Sequence, residues 1–462
     1  MINTLRQQSK GFYRGVFALM VPMVLQNLIT QTVMLADTFM VGMLGEQYLA
    51  AITTAIIPLF LFMIFTFGVQ SGAGILVAQY WGKSDTDAIN RILGIALYFS
   101  IGITLTGALV LSAFPHQILS LVTNDAALVE IAAPYARIVT FAQVLNSISM
   151  VYIGYQRSME NPRFGVIVLS ISSVFSVLGN WVLIFGRFGF PAMGIQGAAI
   201  TTLLARSLEV VIIVVYAFFS SRFPLKIKLI LKPSITMFKD FVKYSLPVLL
   251  NEALWGLGAM LYPVILGHMG GARTILAAFN ISGNLERLFS VAVFASGHAT
   301  AIIIGREIGA GHKDTIESKA KSLVSLAFIL GLVSGAVLMI ARFTVLEPFV
   351  YPLFDLSPDA ASAANTMLTI LAIIIPMRTL SITMGIGILR GGGDVKALMY
   401  IDVVALYLFA LPMASVSGLV IGAGLAVVYS AILLEELVRT TLLFRRVRSK
   451  KWINDVTRER IE

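Results

Sequence analysis

The sequence predicts an all-α integral membrane protein, with twelve transmembrane helices in two pseudo-symmetric six-helix bundles around a central cavity. Its composition is the first reason: 13% of the residues are charged, 58% are hydrophobic, and the mean hydropathy is +0.88. A soluble domain carries about 25% charged residues. The other two reasons are the recurrence of apolar runs long enough to cross a bilayer and the similarity between the two halves of the chain.

A transmembrane helix needs about 20 predominantly apolar residues. The first apolar run, between Gly15 and Gly45, is too long for the apolar region of a signal peptide and is therefore predicted to be a retained span. The predicted spans lie near 15–43, 49–80, 92–114, 131–156, 164–186, 192–219, 241–267, 275–305, 322–349, 360–389, 397–417 and 419–443.

The distribution of basic residues predicts the orientation. Roughly 26 of the 34 lysines and arginines fall on one set of loops and tails, including the segment 221–243 and the tail from Arg445 onward. An excess of Lys and Arg marks the cytoplasmic side, so both termini are predicted to be cytoplasmic in a multi-pass plasma (inner) membrane protein. The same pattern accounts for the net charge of +10 without a nucleic-acid partner.

An internal repeat divides the chain. Sliding the sequence by about 225 residues places Pro22 on Pro247 and Gly42 on Gly267, and further matches continue through both halves. Such repeats are typical of secondary transporters, whose substrate cavity lies between the two copies. We predict an N-lobe over 1–220, a basic cytoplasmic linker over 221–240, and a C-lobe over 241–462.

The sequence argues against an enzyme. It has no cysteine, its four histidines lack metal-ligand spacing, and it contains neither a Walker A motif nor H-E-x-x-H. We therefore expect no bound cofactor, with H⁺ or Na⁺ serving only as a coupling ion.

Four short motifs stand out along the chain. Residues 36–45 read A-D-T-F-M-V-G-M-L-G, 79–82 read Q-Y-W-G, 179–186 read G-N-W-V-L-I-F-G, and 390–394 read R-G-G-G-D. These motifs resemble those of the MATE (multidrug and toxic compound extrusion) transporters, members of the MOP superfamily. The resemblance covers essentially the whole chain. It implies a multidrug efflux antiporter that exports amphiphilic organic cations by alternating access.

The carboxylate of Asp37, in the first span, is the main candidate for ion coupling. An acid in the membrane is costly unless it faces protein, water or an ion. The family resemblance matches Asn180 to a residue that hydrogen-bonds this Asp, whereas Ile184 stands where one proton-coupled branch has a second Asp. We expect Asp37 to bind H⁺ or, alternatively, Na⁺. A lone Asp can titrate but offers few ligands for Na⁺, which favours the proton.

Glu252 and Glu286 are candidate coupling residues in the C-lobe, because each lies within an otherwise apolar run. Arg287 and Arg378 are the candidate ion-pair partners of Glu286. In relatives resembling the sodium-coupled NorM branch, a helix-seven Glu lies about one turn after Glu252, and a helix-ten Asp would fall at Thr379. The pairs Arg206–Glu209 and Glu436–Arg439 have helical spacing and are predicted to neutralise each other as scaffold.

Further side chains are predicted to line the substrate cavity, because polar groups could complete the coupling site and flat or flexible apolar groups suit amphiphilic cations. These candidates are Gln31, Met34, Asn146, Tyr152, Thr201 (or, alternatively, Thr202), Trp255, Tyr262 and Arg378.

Two alternative functions remain. One is a flippase of lipid-linked precursors from the same superfamily, which would want a basic cavity. The other is a membrane-embedded enzyme or receptor, which the duplicated six-helix architecture disfavours. The expected partners are amphiphilic small molecules and the lipid bilayer, and we expect a monomer.

Overall fold

The computed structural model describes residues 8–220, 223–353 and 356–458, except for the side chains of Lys313 and Leu353. The first half of this described chain forms six long helices and two short ones, Pro115–Leu119 and Ile227–Leu231. The long helices are α1 (Lys10–Gly42), α2 (Glu46–Gly82), α3 (Thr86–Ala113), α4 (Ala126–Ser158), α5 (Pro162–Phe185) and α6 (Gly194–Phe219).

The second half of the described chain adds six more long helices, several of them interrupted or widened into π-helix, and the three-residue helix Tyr351–Leu353. They are α7 (Ile235–Ala259, then Leu261–Gly267), α8 (Ala272–Phe289, then Val291–Gly309), α9 (Lys313–Ala341, then π-helix Arg342–Val350), α10 (Pro358–Ile382, then π-helix Thr383–Arg390), α11 (Val395–Val403, then Val404–Ala410, Leu411–Ser415 and Val416–Val420) and α12 (Leu425–Arg448).

The twelve-helix prediction is confirmed in the described part of the chain. Eleven of the helices are long and apolar enough to cross a membrane. Helix α12 has the length, but Glu435, Glu436 and Arg439 lie near its middle. These three charged residues lower its hydropathy, and they are buried in the protein.

Side-chain caps and special residues define several helix ends. Asp85 and Asp125 accept hydrogen bonds from the first free backbone N–H groups of α3 and α4, and Ser357 does the same for α10. Helix α5 begins with Pro162 and ends at Gly186, whose φ of +68° is favourable for glycine.

Small residues allow the helices to approach closely, as expected where lipid provides no hydrophobic drive for association. A Cβ atom added at Gly335 of α9 would lie 2.4 Å from the carbonyl oxygen of Ala372 in α10. A Cβ added at Gly72 of α2 would lie 2.2 Å from Oγ of Ser245 in α7. Both glycines are therefore required for these helix contacts.

The chain folds into two compact units. Of the described residues, unit one comprises those in 8–24 and 250–457, and unit two comprises those in 25–249 and Arg458. In these units, the N-terminal parts of α1 and α7 pack with helices of the opposite repeat, and the division of the sequence at 221–240 stays a prediction. Within unit one, Met20 and Met23 share a hydrophobic core with Ile302 and Leu389.

Candidate functional site

A cavity of about 500 Å³ lies within unit two. Helices α1, α2, α4, α5 and α6 contribute its walls, and its lining combines hydroxyl groups with apolar and charged side chains. We call it the Asp37 cavity, because Asp37 of α1 is part of its wall. Its size is in the range of small-molecule binding sites.

Asn180 holds the Asp37 carboxylate. The side-chain amide of Asn180, on α5, donates a hydrogen bond of 2.7 Å to Oδ1 of Asp37. Asn180 is almost completely buried, whereas Asp37 is partly exposed. A hydrogen bond to a charged acceptor stabilises it more than a neutral pair would. The structure thus brings together two residues that the sequence places 143 positions apart.

The Asp37 cavity contains an ion pair on α6. Nη1 of Arg206 lies 2.7 Å from Oε1 of Glu209, one helical turn further on, as the spacing predicts. The Glu209 side chain is 1% exposed and the Arg206 side chain 29%. Both residues of this pair line the cavity.

Ile184 does not contribute to the Asp37 cavity. Its side chain is buried in a hydrophobic core with Val41, Leu59 and Ile195. The position at which a proton-coupled branch of the resembled family has a second Asp is therefore apolar both in chemistry and in surroundings.

The other N-lobe candidates separate into two groups. Met34 lines the Asp37 cavity; Gln31, Asn146, Tyr152 and Thr201 are not among its lining residues. The Tyr152 hydroxyl accepts a hydrogen bond from Gln156 at 3.2 Å, Asn146 donates to Gln143 at 3.3 Å, and Thr201 donates to the carbonyl of Gly197 at 2.9 Å. The neighbouring Thr202 lines the cavity instead of Thr201.

In unit one, the candidate acids are paired with arginines. Nη2 of Arg390 lies 2.9 Å from Oε1 of Glu252. Arg378 donates a hydrogen bond to Glu286, and its Nε lies 3.5 Å from Oε1 of Glu436. The predicted Glu286–Arg378 pair is therefore present.

Two further acids complete this charged cluster, and sequence reasoning missed both as site residues. Asp402 accepts hydrogen bonds from Arg439, at 2.7 and 3.3 Å, and from the amide of Asn251 at 2.8 Å. Glu435 accepts a bond of 2.9 Å from the hydroxyl of Tyr262. The sequence does contain a signal for both residues, because each is an acid within an apolar run.

Arg439 therefore bonds Asp402 rather than Glu436, which corrects the predicted Glu436–Arg439 pair. Glu436 instead accepts a hydrogen bond from Ser381. Helical spacing relates only residues on the same helix, whereas the carboxylate that Arg439 bonds belongs to Asp402 on α11.

The remaining unit-one candidates do not form an ion site. Trp255 is 43% exposed, and the hydroxyl of Thr379 donates to the carbonyl of Ile375 within α10. Among the residues that the structure describes, no group of three or more His, Cys, Asp or Glu side chains could hold a metal ion.

Two duplicated sets of membrane helices, a ligand-sized cavity inside one unit and buried acids in both units define a transporter class of membrane protein. The MatE family model matches residues 22–182 and 247–416, more than half of the chain. The chain belongs to this family of multidrug and toxic compound extrusion transporters, which is a family of transporters and not of enzymes.

Curated relatives cover most of the chain at low identity. The uncharacterized transporter YisQ of Bacillus subtilis is 24% identical over 424 residues, which are 90% of each protein. A probable multidrug resistance protein NorM of Thermotoga maritima is 23% identical over 449 residues, 96% of this chain and 94% of the relative.

Solved structures show the same fold. A MATE structure in a bent conformation superposes with a TM-score of 0.85 at 17% identity, covering 96% of this chain and 98% of the other. An Asp-to-Asn variant of the Vibrio cholerae MATE transporter VcmN gives 0.82 at 18% identity, with the same coverage of both chains. A MOP superfamily transporter from Pyrococcus furiosus, described as having a binding pocket of reversed polarity, gives 0.85 at 18%.

Proposed function

We propose that this protein is a cation-coupled multidrug efflux antiporter, which exports amphiphilic organic cations in exchange for H⁺ or Na⁺ by alternating access. The observation that carries this proposal is the Asp37 cavity of about 500 Å³, in which an Asn180-held carboxylate is a wall residue. A carboxylate that loses its bound ion when an organic cation occupies the same cavity links the two movements.

The proton is the favoured coupling ion. Na⁺ requires several oxygen ligands in place of its water shell, whereas a proton needs one carboxylate. Asp37 has one amide partner, Asn180, and Ile184 lies in an apolar core. In unit one, Glu252 and Glu286 are each paired with an arginine, which supports a structural role for them.

The charges of the cavity support a cationic substrate over the flippase alternative. Asp37, Glu209 and Arg206 are its charged lining residues in the described chain, so acids outnumber the single guanidinium. A lipid-linked precursor carries phosphate groups, which would be repelled by this excess of carboxylates. Met34 and Tyr135 supply apolar and aromatic surface for an organic cation.

The proposed location is the plasma (inner) membrane, with both termini cytoplasmic and the protein acting as a monomer. The chain contains no cysteine, so single cysteines report topology directly. Ser449→Cys should react with a membrane-impermeant maleimide only after cell lysis, and Asp359→Cys in intact cells. The reverse labelling pattern would contradict the orientation.

The function is tested in proteoliposomes that contain a fluorescent lipophilic cation, under an imposed proton or Na⁺ gradient. We expect a proton gradient to drive cation movement in the absence of Na⁺. Transport that survives collapse of the proton gradient but requires Na⁺ would assign coupling to Na⁺. Movement of no cation under either gradient would reject the antiporter proposal and favour the flippase.

A further inference from the structure

Among the described residues that line the Asp37 cavity, Arg206 is the one guanidinium, and it shares the wall with two acids, Asp37 and Glu209. Its guanidinium bonds Glu209 at 2.7 Å. Helix α6 contains no further charged residue between Gly194 and Phe219. The titratable groups that line the cavity are Asp37, Tyr135, Arg206 and Glu209.

The Arg206–Glu209 bond leaves Glu209 incompletely satisfied. Oε1 of Glu209 accepts from Arg206, whereas Oε2 is buried and has no hydrogen-bond partner among the described residues. A buried polar group without a partner is destabilising. The carboxylate therefore retains the capacity to bind a second cation or donor.

A purely structural role explains this arrangement poorly. Each charged side chain near the middle of a membrane helix costs about 2.5–3.5 kcal/mol on insertion scales. Apolar side chains of similar volume often replace a buried ion pair with no loss of stability. An ion pair that lines a cavity also containing the coupling acid is better explained by ligand exchange.

We propose that Arg206 is a mobile counter-cation that couples substrate binding at Glu209 to proton release from Asp37. This inference rests on the proposed antiport function. An organic cation that enters the cavity binds the Glu209 carboxylate and displaces the guanidinium. Arg206 then turns to Asp37, the Asp37 O–H bond breaks, and the proton leaves to the solvent while the guanidinium balances the carboxylate charge.

The complete exchange leaves the net charge of the cavity unchanged, because one organic cation enters for each proton that leaves, and it can run in reverse. A proton that returns to Asp37 neutralises it, Arg206 goes back to Glu209, and the organic cation is released. By linkage, substrate lowers the proton affinity of Asp37 by the same factor by which the proton lowers substrate affinity. The pair Arg206–Glu209 thus determines both cation selectivity and coupling.

The test uses purified full-length protein and ethidium, with infrared difference spectroscopy of the protonated carboxyl band. Asp37→Asn assigns the part of the band that belongs to Asp37. In the wild type, we expect ethidium binding to remove that band. In Arg206→Met, we expect ethidium to bind while the Asp37 band persists, because no guanidinium replaces the proton.

A second variant tests the substrate contact. Glu209→Gln keeps the shape of the side chain but removes its charge, and should weaken ethidium binding at least about tenfold, which corresponds to about 1.4 kcal/mol. Arg187→Met is the matched control, since it removes one exposed positive charge outside the cavity. It should bind ethidium and lose the Asp37 band as the wild type does.

The proposed role of Arg206 is refuted if ethidium removes the Asp37 band in Arg206→Met, because the substrate would then compete directly with the proton at Asp37. If Glu209→Gln binds ethidium with the affinity of the wild type, the proposed substrate contact at Glu209 is likewise refuted. If the wild type exports ethidium and one of the two variants gives its contradicting result, only the proposed role of Arg206 and Glu209 is wrong. A wild type that neither binds nor exports any cation contradicts the proposed function as well.

Discussion

Replacement of Asp37 by Asn should uncouple transport while leaving the fold intact. The hydrogen bond from Asn180 to Asp37, 2.7 Å long, connects α5 to α1. A hydrogen bond to a charged group contributes about 1.5–3 kcal/mol and a neutral one about 1 kcal/mol. Because the Asn side chain keeps a carbonyl oxygen to accept this bond, Asp37→Asn should cost about 1 kcal/mol of stability.

The functional effect of Asp37→Asn is larger, because an amide cannot release a proton near neutral pH. A tenfold concentration ratio corresponds to about 1.4 kcal/mol, so each pH unit can maintain about a tenfold accumulation of a monovalent cation exchanged for one proton. We expect this ratio in wild-type proteoliposomes and a ratio near one in Asp37→Asn.

The assay is uptake of a fluorescent lipophilic cation into proteoliposomes with an imposed pH difference, alongside thermal unfolding in detergent. Asp359→Asn is the control, since it removes an exposed acid at the start of α10. Gradient-driven accumulation by a folded Asp37→Asn variant equal to that of the wild type would refute coupling through Asp37.

Three further predictions follow from particular contacts. Asn180→Leu removes the donor to Asp37, so we expect it to lose about 1–3 kcal/mol of stability and most gradient-driven transport, measured by thermal unfolding and uptake. Asp402→Ala leaves Arg439 buried without its carboxylate and should destabilise the detergent-solubilised protein by about 3–5 kcal/mol, whereas a loss below about 1 kcal/mol would contradict the importance of the pair. Gly335→Leu should prevent close approach of α9 and α10 and lower the yield of monodisperse protein, while normal yield would show that the contact can relax.

The sequence by itself determined the membrane class and the helices. Composition and apolar runs predicted twelve spans, and each of them overlaps one of the twelve long helices, although six of these helices begin five to nine residues from the predicted start. These features are local, because a helix must satisfy its own backbone hydrogen bonds wherever lipid replaces water. The family motifs likewise identified Asp37 and Asn180 as a pair, and the structure brings them together.

Tertiary structure decided which side chains share a site. The sequence placed Tyr262 among cavity residues, but its hydroxyl bonds Glu435, and Arg439 bonds Asp402 instead of its neighbour on α12. Arg206 was predicted as scaffold, yet it lines the Asp37 cavity.

The physical reason is that helical spacing relates residues only within one helix, whereas partners across helices depend on rotation and depth. A charged group in a membrane protein bonds the nearest group of opposite charge that packing provides, at any distance along the chain. Packing likewise placed the N-terminal parts of α1 and α7 with the opposite repeats, although the boundary predicted from the sequence lies between 220 and 241.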